Sequence, residues 1–555
     1  MKDRGRTRVV ERQYYWDKEK GRGLEKRKYI GYVVAGVYYS NEQYRRKFMR
    51  TGKKRVVAQA APEESPVTGV VPALETRQAA EFPLYYAVAR DTGLIEDLTA
   101  VWGEHRAQIM LSVSFHWMHT GHNAAYLYES WSPGKLLPYS ENLSSKELSG
   151  FFDDLDQKPG GRKDFFQARV NRLPENEVLS FDASAIASEA EDLSYVRFGK
   201  GQGGAYQNQI GLIVLLGHRT QMPVLFRILP GNISDVTTVP DMLFRFDEIT
   251  DSKRVFAAVM DRGYCSLDNI ARFIDQNCRV IVAAKTNLNW IEEAMEDAMS
   301  DLWRSSTRIQ EKKCWGKTVE MQKEFPDGKC RKFWVHVYRS ETKAHVENDA
   351  FYATLNNFEK EWNSFKPAVG KDAKESALLK SPLLKYYAEP GVPGKDPLVR
   401  DAWAMEAVTR YFGFFCNITT FECTAVDAIL EYSTRDCIEK SFKSGNSYAD
   451  IDTLRAHGGT TAEGRLLIGF CCMTILSRIY QLMGKTVEIE GDRGKSRKEL
   501  PPLIGEMTFN ELRNHLSSIR LVFDSKGNKR WCEVTKKQHL FATRLGYPDL
   551  YTALP

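Results

Sequence analysis

Short apolar runs bounded by turn residues fill the middle of this 555-residue chain. Runs of this length and spacing predict β-strands. Five such runs follow one another, at 178–183, 210–216, 223–229, 255–260 and 280–284. A helix with Pro240 near its first turn precedes the fourth run, and a helix that Ser266 would cap precedes the fifth.

Three strands, a helix, and then strand, helix and strand is the order of an RNase H-like core. We therefore predict an α/β protein in which an RNase H-like mixed sheet is flanked by helices. Residues 176–285 would form the first part of this core. Residues 406–484 would form the second part, with a strand at 411–418 and a buried apolar helix around 466–476. The intervening residues 286–405 alternate as a strand should only at 333–338, and they predict a β-containing insertion.

The segments that flank this core differ in their patterns. Apolar spacing near 3.6 predicts a helical N-terminal domain over residues 75–172. Residues 485–555 predict a small α+β tail, with a helix near 509–518 and a hairpin turning at 524–528, that could serve dimerisation or DNA contact. Residues 1–60 are basic and aromatic, with a short β-rich run at 32–39, and form a candidate DNA-binding arm.

Charge is distributed unevenly along the chain. The net charge is +6, yet residues 1–55 hold 18 Lys and Arg against 6 Asp and Glu. A basic arm ahead of a mildly acidic body favours a polyanionic partner, nucleic acid before an anionic membrane, although a solvated basic tail is the alternative.

The longest apolar run is too short to span a bilayer, and ten scattered cysteines fit a reducing cytoplasm. We expect a cytoplasmic protein that does not enter membranes.

Two aspartates occupy chemically useful positions in the predicted sheet. Asp182 lies in the first apolar strand, and Asp261 follows the fourth. Carboxylates at the carboxyl ends of strands point into the crevice where such sheets bind ligands. The first and fourth strands are neighbours in an RNase H-like sheet, so the two aspartates would come together there. Taken singly, each could also be an ordinary turn residue.

A third carboxylate belongs to a spaced set near the end of the core. Tyr432, Arg435 and Glu439 would fall within roughly 60° of one another on a helix, and Lys443 would join the same face. Thr424 and the acid three residues later predict a capping box at the start of this helix. One helix face would thus offer a carboxylate for a cation beside three groups that can contact phosphate.

This spacing, with two strand-borne aspartates ahead of it, resembles the DDE transposases of bacterial insertion sequences, in the branch with a Tyr-x2-Arg-x3-Glu-x6-Lys signature. The resemblance runs from about residue 75 through 545 and includes the segments 229–235 and 259–264. It implies a Mg²⁺-dependent DNA transposase, with Mn²⁺ able to substitute. Such an enzyme cleaves at terminal inverted repeats and joins the freed 3′-hydroxyl ends to target DNA. We expect it to act on double-stranded DNA as a homodimer, in the cytoplasm of a bacterium and associated with its nucleoid.

The resemblance also assigns roles to individual residues. The catalytic and metal-binding acids would be Asp182, Asp261 and Glu439. The residues expected to contact DNA would be Tyr432, Arg435, Lys443 and Lys285. Lys285 closes the fifth strand, and an ordinary solvated lysine at a strand end explains it about equally well. Relatives can also stack a flipped base on an aromatic of the insertion. The candidates are Trp290, Trp303, Trp315, Trp334 and Trp362, for each of which core packing is the default.

One departure from the signature leaves alternatives open. Its final lysine falls on Asn446, so Lys443 would have to supply the phosphate contact. Gly445 and Asn446 together also favour a helix C-cap. A catalytically inactive relative that only binds DNA, or a metal-dependent nuclease without strand transfer, therefore remains an alternative to the transposase.

Overall fold

The computed structural model describes residues 2–3, 6–17, 22–34, 37–40 and 75–554, apart from 189, 191, 202–204, 252–253, 367–372, 434, 436–442, 444, 457, 491–496, 525 and 533. The chain divides into two compact units, Met1–Val71 and Pro72–Pro555.

The first unit contains a four-stranded antiparallel sheet with its strands in chain order. Its strands are β1 (Lys2–Asp3), β2 (Arg6–Asp17), β3 (Arg22–Val34) and β4 (Val37–Ser40). The predicted run at 32–39 is therefore only one corner of a larger sheet. The long hairpin of β2 and β3 pairs Glu11 with Lys28 and Asp17 with Arg22. These strands lie in charged sequence without a regular apolar alternation, so periodicity did not predict them.

One ten-stranded mixed sheet organises the second unit. Its strands are β6 (Leu179–Ala187), β7 (Arg197–Lys200), β8 (Tyr206–Gly217), β9 (Pro223–Pro230), β10 (Ala257–Met260), β11 (Arg279–Ala284), β12 (Arg308–Ile309), β13 (Cys314–Glu324), β14 (Cys330–Arg339) and β17 (Phe414–Thr419). The order across the sheet is β12-β13-β14-β17-β11-β10-β6-β8, with β7 and β9 both paired to β8. β10 runs parallel to β6 and β11, and the other pairs are antiparallel.

Helices pack against this sheet, and the helices that precede it in the chain form a separate helical layer. They are α1 (Phe82–Asp91), α2 (Leu94–Trp102), α3 (Glu104–Thr120), α4 (Tyr128–Trp131), α5 (Ser145–Gln157), α6 (Gly161–Asn171), α7 (Val239–Thr250), α8 (Leu267–Asp275), α9 (Asn289–Met299), α10 (Glu341–Ser364), α11 (Ala373–Leu379), α12 (Ala402–Thr409), α13 (Ala425–Ser433), α14 (Gly459–Met483), α15 (Phe509–Leu516) and α16 (Lys536–Arg544). The predicted caps are present, since the Ser266 hydroxyl accepts from the Asn269 N–H and Thr424 pairs reciprocally with Asp427.

The segment predicted as an insertion contributes directly to the main sheet. β13 and β14 extend it beyond β17, which itself pairs with β11. Its helices α10 to α12, together with the two-stranded ladder of β15 (Tyr387–Ala388) and β16 (Val399–Arg400), surround a small apolar cluster of their own that includes Leu355, Phe358 and Trp362. One part of the segment therefore extends the main sheet, and the other part forms a small subdomain with its own apolar cluster.

The C-terminal residues pack against the helical layer. β20 (Arg520–Phe523) pairs with β5 (Glu75–Gln78) on one side and β21 (Lys529–Cys532) on the other. β18 (Val487–Glu490) and β19 (Arg497–Leu500) form a hairpin ahead of them. Phe509 packs against Tyr85 and Tyr448, with ring centroids 6.3 and 4.9 Å away. The tail therefore shares the core of the helical region that precedes the sheet.

Helix α14 crosses the centre of the second unit. By length and composition it could cross a membrane, but most of its side chains are buried against other elements. A helix that is apolar all round is suited to the interior of a large domain. Its contact with α5 is close, because a Cβ added at Gly464 would lie 2.1 Å from the carbonyl oxygen of Phe152.

Gly464→Ala should therefore destabilise the protein. The methyl group can be accommodated only if two buried helices move apart, which typically costs about 1–3 kcal/mol. We expect a lower denaturant midpoint in urea unfolding followed by circular dichroism. Gly459→Ala is the matched control, because an added Cβ meets nothing within 4 Å at that first helical position. Equal midpoints for the two variants would contradict this packing.

Candidate active site

Asp261 lies at the carboxyl end of β10. Its Oδ1 accepts a hydrogen bond from the Arg262 N–H at 2.7 Å, which caps a short 3-10 turn over Arg262–Tyr264. The Tyr264 ring at the end of that turn packs edge-on against Phe181 of β6, with centroids 4.7 Å apart. The carboxylate of Asp261 is 43% exposed, so a ligand can reach it.

The backbone of Asp182 occupies the neighbouring position on β6. The parallel register pairs Met260 with Phe181, and Asp261 and Asp182 are the next residue on each strand. On its other side Asp182 pairs with Val214 of β8. The strand pairing thus places the backbones of the two predicted acids side by side at the carboxyl end of β10, as expected for the first and fourth strands.

Arg435 faces Asp261 from the end of α13. Its Nη1 lies 3.5 Å from Asp261 Oδ1, and the residue is only 9% exposed. The Arg435 side chain is therefore buried against the candidate site. Tyr432 lines the same cleft as Arg435 and Asp261.

The helix that carries Tyr432 ends earlier than predicted. α13 stops at Ser433, and the Arg435 N–H donates to the Tyr432 carbonyl in a tighter turn. The Ser433 hydroxyl donates to the carbonyl of Leu430, and serine hydroxyls that bond backward in this way compete with regular helix geometry. Tyr432 and Arg435 therefore reach the cleft from a helix end and a turn, not from one uninterrupted helix face.

The last part of the signature is only partly described. Glu439 lies outside the described residues, and its convergence with the aspartates stays a prediction. Lys443 is helical and exposed, and residues 445–449 are helical as well. The predicted C-cap at Gly445 and Asn446 is therefore wrong. Positions three apart on a helix are neighbours, so Lys443 and Asn446 share one side of this helical segment.

A polar cleft of about 820 Å³ opens at this edge of the sheet. Its cationic lining residues are Arg262, Lys285, Lys343 and Arg435. Lys285 directly follows β11, as predicted, and is exposed. Lys343 lies on α10, far from the other residues in sequence, and it donates to the Phe414 carbonyl at 2.9 Å. Several cations around a carboxylate form a site suited to a phosphodiester that is bound close to a metal ion.

Asp235 is a second carboxylate beside Asp261 that sequence reasoning did not assign. Burial raises the pKa of Asp235, and the negative charge of Asp261 raises it further. The buried Asn269 amide holds the two turns together, donating to the Val236 carbonyl at 2.8 Å and to the Tyr264 carbonyl at 3.0 Å. The segment 229–235 was part of the family resemblance, which was the available signal for this residue.

The donors at this edge fit a hard divalent cation. Neighbouring carboxylates repel one another, and a cation between such groups offsets the repulsion. Carboxylate oxygens are the ligands that Mg²⁺ and Mn²⁺ prefer. Among the described residues no three His, Cys, Asp or Glu side chains form a metal-binding group. The side chains of Asp182 and Glu439 are not among those described, so the metal ligand set of these acids with Asp261 stays a prediction.

The tryptophans of segment 286–405 separate clearly by exposure. Trp290 and Trp362 are buried in apolar clusters. Trp303 is 48% exposed, with the Arg339 guanidinium 4.4 Å from its ring centroid. Trp403, at the start of α12, is 82% exposed and was not among the candidates from the sequence. Trp403 follows a polar loop and is not part of a periodic apolar pattern, so the sequence pattern could not identify it as a candidate.

Comparison with known proteins identifies the family. The transposase DDE domain family matches residues 174–475, a segment that contains Asp182, Asp261 and Glu439 and spans more than half of the chain. This chain therefore belongs to the transposase DDE domain family. The protein is of the transposase class, and members of this family generally use divalent metal ions.

Other comparisons add little. A solved structure of a piggyBac transposase synaptic complex with hairpin DNA is similar at 10% identity, covering 72% of this chain and 66% of that chain. Its TM-score is 0.31, too low to support an argument about fold or mechanism. No curated protein matches this chain significantly.

Asp261→Asn should abolish stabilisation by Mn²⁺. An ion that binds only the folded protein raises its stability by about 2.7 kcal/mol at a hundred times the dissociation constant. We expect added Mn²⁺ to raise the melting temperature of the wild type by a measurable margin in differential scanning fluorimetry, and to leave that of the variant unchanged. Asp268→Asn, an exposed acid on α8, is the control and should respond like the wild type. An Asp261→Asn variant that responds to Mn²⁺ as the wild type does would exclude Asp261 as a ligand.

Proposed function

We propose that this chain is a DNA transposase with an RNase H-like catalytic core, related to the Tyr-x2-Arg-x3-Glu branch of bacterial insertion-sequence enzymes. It would cleave at terminal inverted repeats and direct the freed 3′-hydroxyl ends at target DNA. The order β9-β8-β6-β10-β11, with β10 and β11 parallel to β6 and β8 antiparallel to it, supports the RNase H-like assignment.

The observation that carries the proposal is the pairing of β6 with β10. It brings Asp182 and Asp261 to neighbouring positions although 78 residues separate them. Arg435 of the signature faces Asp261 at 3.5 Å, from a third part of the chain. These contacts support the proposal that Asp182, Asp261 and Arg435 belong to one site, within the segment that matches the family.

Asp182, Asp261 and Glu439 would hold two divalent cations over the scissile bond. Bound there, such a pair activates a water or a 3′-hydroxyl and stabilises the leaving oxygen of an in-line displacement. Asp261 is oriented for ligation, because the Arg262 N–H fixes one of its oxygens. Arg435 would help to balance the charge of the acids and, with Tyr432, contact the strand near the cleaved bond.

The remaining cations would position the DNA. Lys285 and Lys343 line the cleft, and Lys443 lies on the following helical segment. Lys285 and Lys443 would each contact a backbone phosphate, which fixes the register of a strand without reading its bases. Lys343 is paired with Glu347 in the same cleft. The basic N-terminal unit and the helical layer would hold the element ends. Because two ends must be processed together, we expect a homodimer on DNA.

Asn446 favours a second candidate, a relative that binds DNA without cleaving it. It replaces the final lysine of the signature with an uncharged side chain. Lys443, one turn earlier on the same side of the segment, offers a compensating charge. A nuclease that cuts but does not join strands is the other alternative, and the products of a single assay distinguish all three.

Glu439→Gln should eliminate cleavage and retain binding. The substitution removes a metal-binding charge while preserving shape, and loss of metal-assisted stabilisation of several kcal/mol slows the reaction about a thousandfold or more. The measurement is Mg²⁺-dependent nicking of DNA that carries the flanking repeats of the element. Glu422→Gln, on the exposed loop before α13, is the isosteric control and should cleave normally.

Three results distinguish the alternatives. Nicking and joining by the wild type, both lost in Glu439→Gln, support the transposase. Nicking without joined products from pre-cleaved ends indicates a nuclease. Tight binding with no nicking by the wild type indicates an inactive relative, and equal nicking by Glu439→Gln would refute the catalytic assignment.

Lys443→Ala should weaken DNA binding without sequence preference. Loss of one phosphate contact reduces the slope of log affinity against log salt concentration by about 1. Asn446→Lys should increase that slope by a similar amount, because it adds a charge one turn further along the same side. Fluorescence anisotropy over a salt series measures both. Unchanged slopes would show that this helical segment does not contact DNA.

A further inference from the structure

Two aromatic side chains form an exposed pair on the hairpin between β7 and β8. Phe198 and Tyr206 are each 66% exposed. Their rings stack on one another with centroids 5.8 Å apart and planes inclined by 23°. Isolated apolar residues are common on protein surfaces, but two adjacent, nearly parallel rings make a flat apolar platform of the kind that ligands use.

The register of the hairpin explains why this platform faces outward. Phe198 pairs with Asn208 and Lys200 with Tyr206, so these four positions share one face. The opposite face closes on the loop after β9. There a Cβ added at Gly199 would lie 2.4 Å from the Gly231 carbonyl oxygen.

A hydrogen bond holds this inner face in place. The Gln209 amide donates to the Gly231 carbonyl at 2.9 Å and to the Lys200 carbonyl at 3.1 Å. Packing therefore fixes the hairpin through its inner face. The two rings on the outer face contribute little to that packing.

The platform borders a cleft that leads to the candidate active site. Phe198, Lys200 and Tyr206 line a cleft of about 810 Å³ that Gly263 and Lys285 also line. Lys285 also lines the polar cleft around Asp261, so the two clefts meet at this lysine. A DNA strand that passes the catalytic edge could continue along this path to the hairpin.

The chemistry of the platform favours unpaired nucleotides. Bases in a duplex already stack on their neighbours, whereas unpaired bases stack readily on aromatic side chains, and nearby lysines then bind the backbone. Lys200 and Lys285 supply positive charge along the path. This pairing of rings with cations is the common arrangement for single-stranded nucleic acid without sequence preference.

We infer that Phe198 and Tyr206 form a stacking site for an unpaired DNA strand that leaves the catalytic cleft past Lys285. The inference rests on the proposed function, since the strand is that of the DNA being cut or joined. It adds a substrate feature that the catalytic acids do not require: a single-stranded segment beside the reacting phosphate.

The test measures binding of fluorescein-labelled oligothymidine of about ten nucleotides, alongside a duplex of the same length, to the full chain. Phe198→Ala and Tyr206→Ala should each weaken oligothymidine binding about tenfold, because stacking on one ring is lost. Tyr206→Phe should bind oligothymidine like the wild type, because it keeps the aromatic ring. Duplex binding should change by less than about twofold.

Phe244→Ala is the matched control. Phe244 is 64% exposed on α7 and does not line the cleft. The Phe244→Ala variant should bind oligothymidine like the wild type, and similar melting temperatures would show that all variants fold.

The outcomes separate this inference from the proposed function. Oligothymidine affinity that is equal in the wild type and in a protein carrying both Phe198→Ala and Tyr206→Ala overturns the inference. A wild type that nicks duplex DNA with Mg²⁺ yet does not bind oligothymidine also overturns it, while leaving the transposase assignment intact. Reduced dimer formation with unchanged oligothymidine affinity would assign the rings to a protein contact and overturn it too. A wild type that neither binds nor nicks any DNA refutes both.

Discussion

The parallel pairing of β10 with β6 is the constraint on which the candidate site depends. Phe181 and Met260 are both buried, and a slip of one residue would turn each of them to the opposite face of the sheet. The edge contact between Phe181 and Tyr264 secures the turn after Asp261 against the neighbouring strand. Hydrophobic burial thus sets the register, and the register sets the positions of the acids. A polar site that repels itself electrostatically is held together by apolar contacts beneath it.

Several features of this arrangement could be predicted from the sequence because they are local. The five apolar runs correspond to β6, β8, β9, β10 and β11, and serine and threonine mark the helix starts where they were expected. The adjacency of Asp182 and Asp261 followed from the order of those elements and one topological rule. The family match over residues 174–475 confirms the transposase class.

Other features depend on contacts between distant segments and were missed. Nothing in the sequence near 314–339 indicates that β14 pairs with β17, about eighty residues later, and so extends the core sheet. α13 ends at Ser433, and Arg435 is buried beside Asp261 of a distant segment. Asp235 and Lys343 reach the site through tertiary packing alone, so no spacing in the chain could have placed them.

The central claim is that carboxylates from separate strands share divalent cations at one sheet edge. The most direct measurement is anomalous diffraction at the manganese edge from crystals grown with Mn²⁺ and cleaved-end DNA. The account predicts a peak within about 2.1–2.2 Å of oxygens from both Asp182 and Asp261, with Glu439 completing the set. Peaks bound by only one of these aspartates, with the other in a separate pocket, would contradict it.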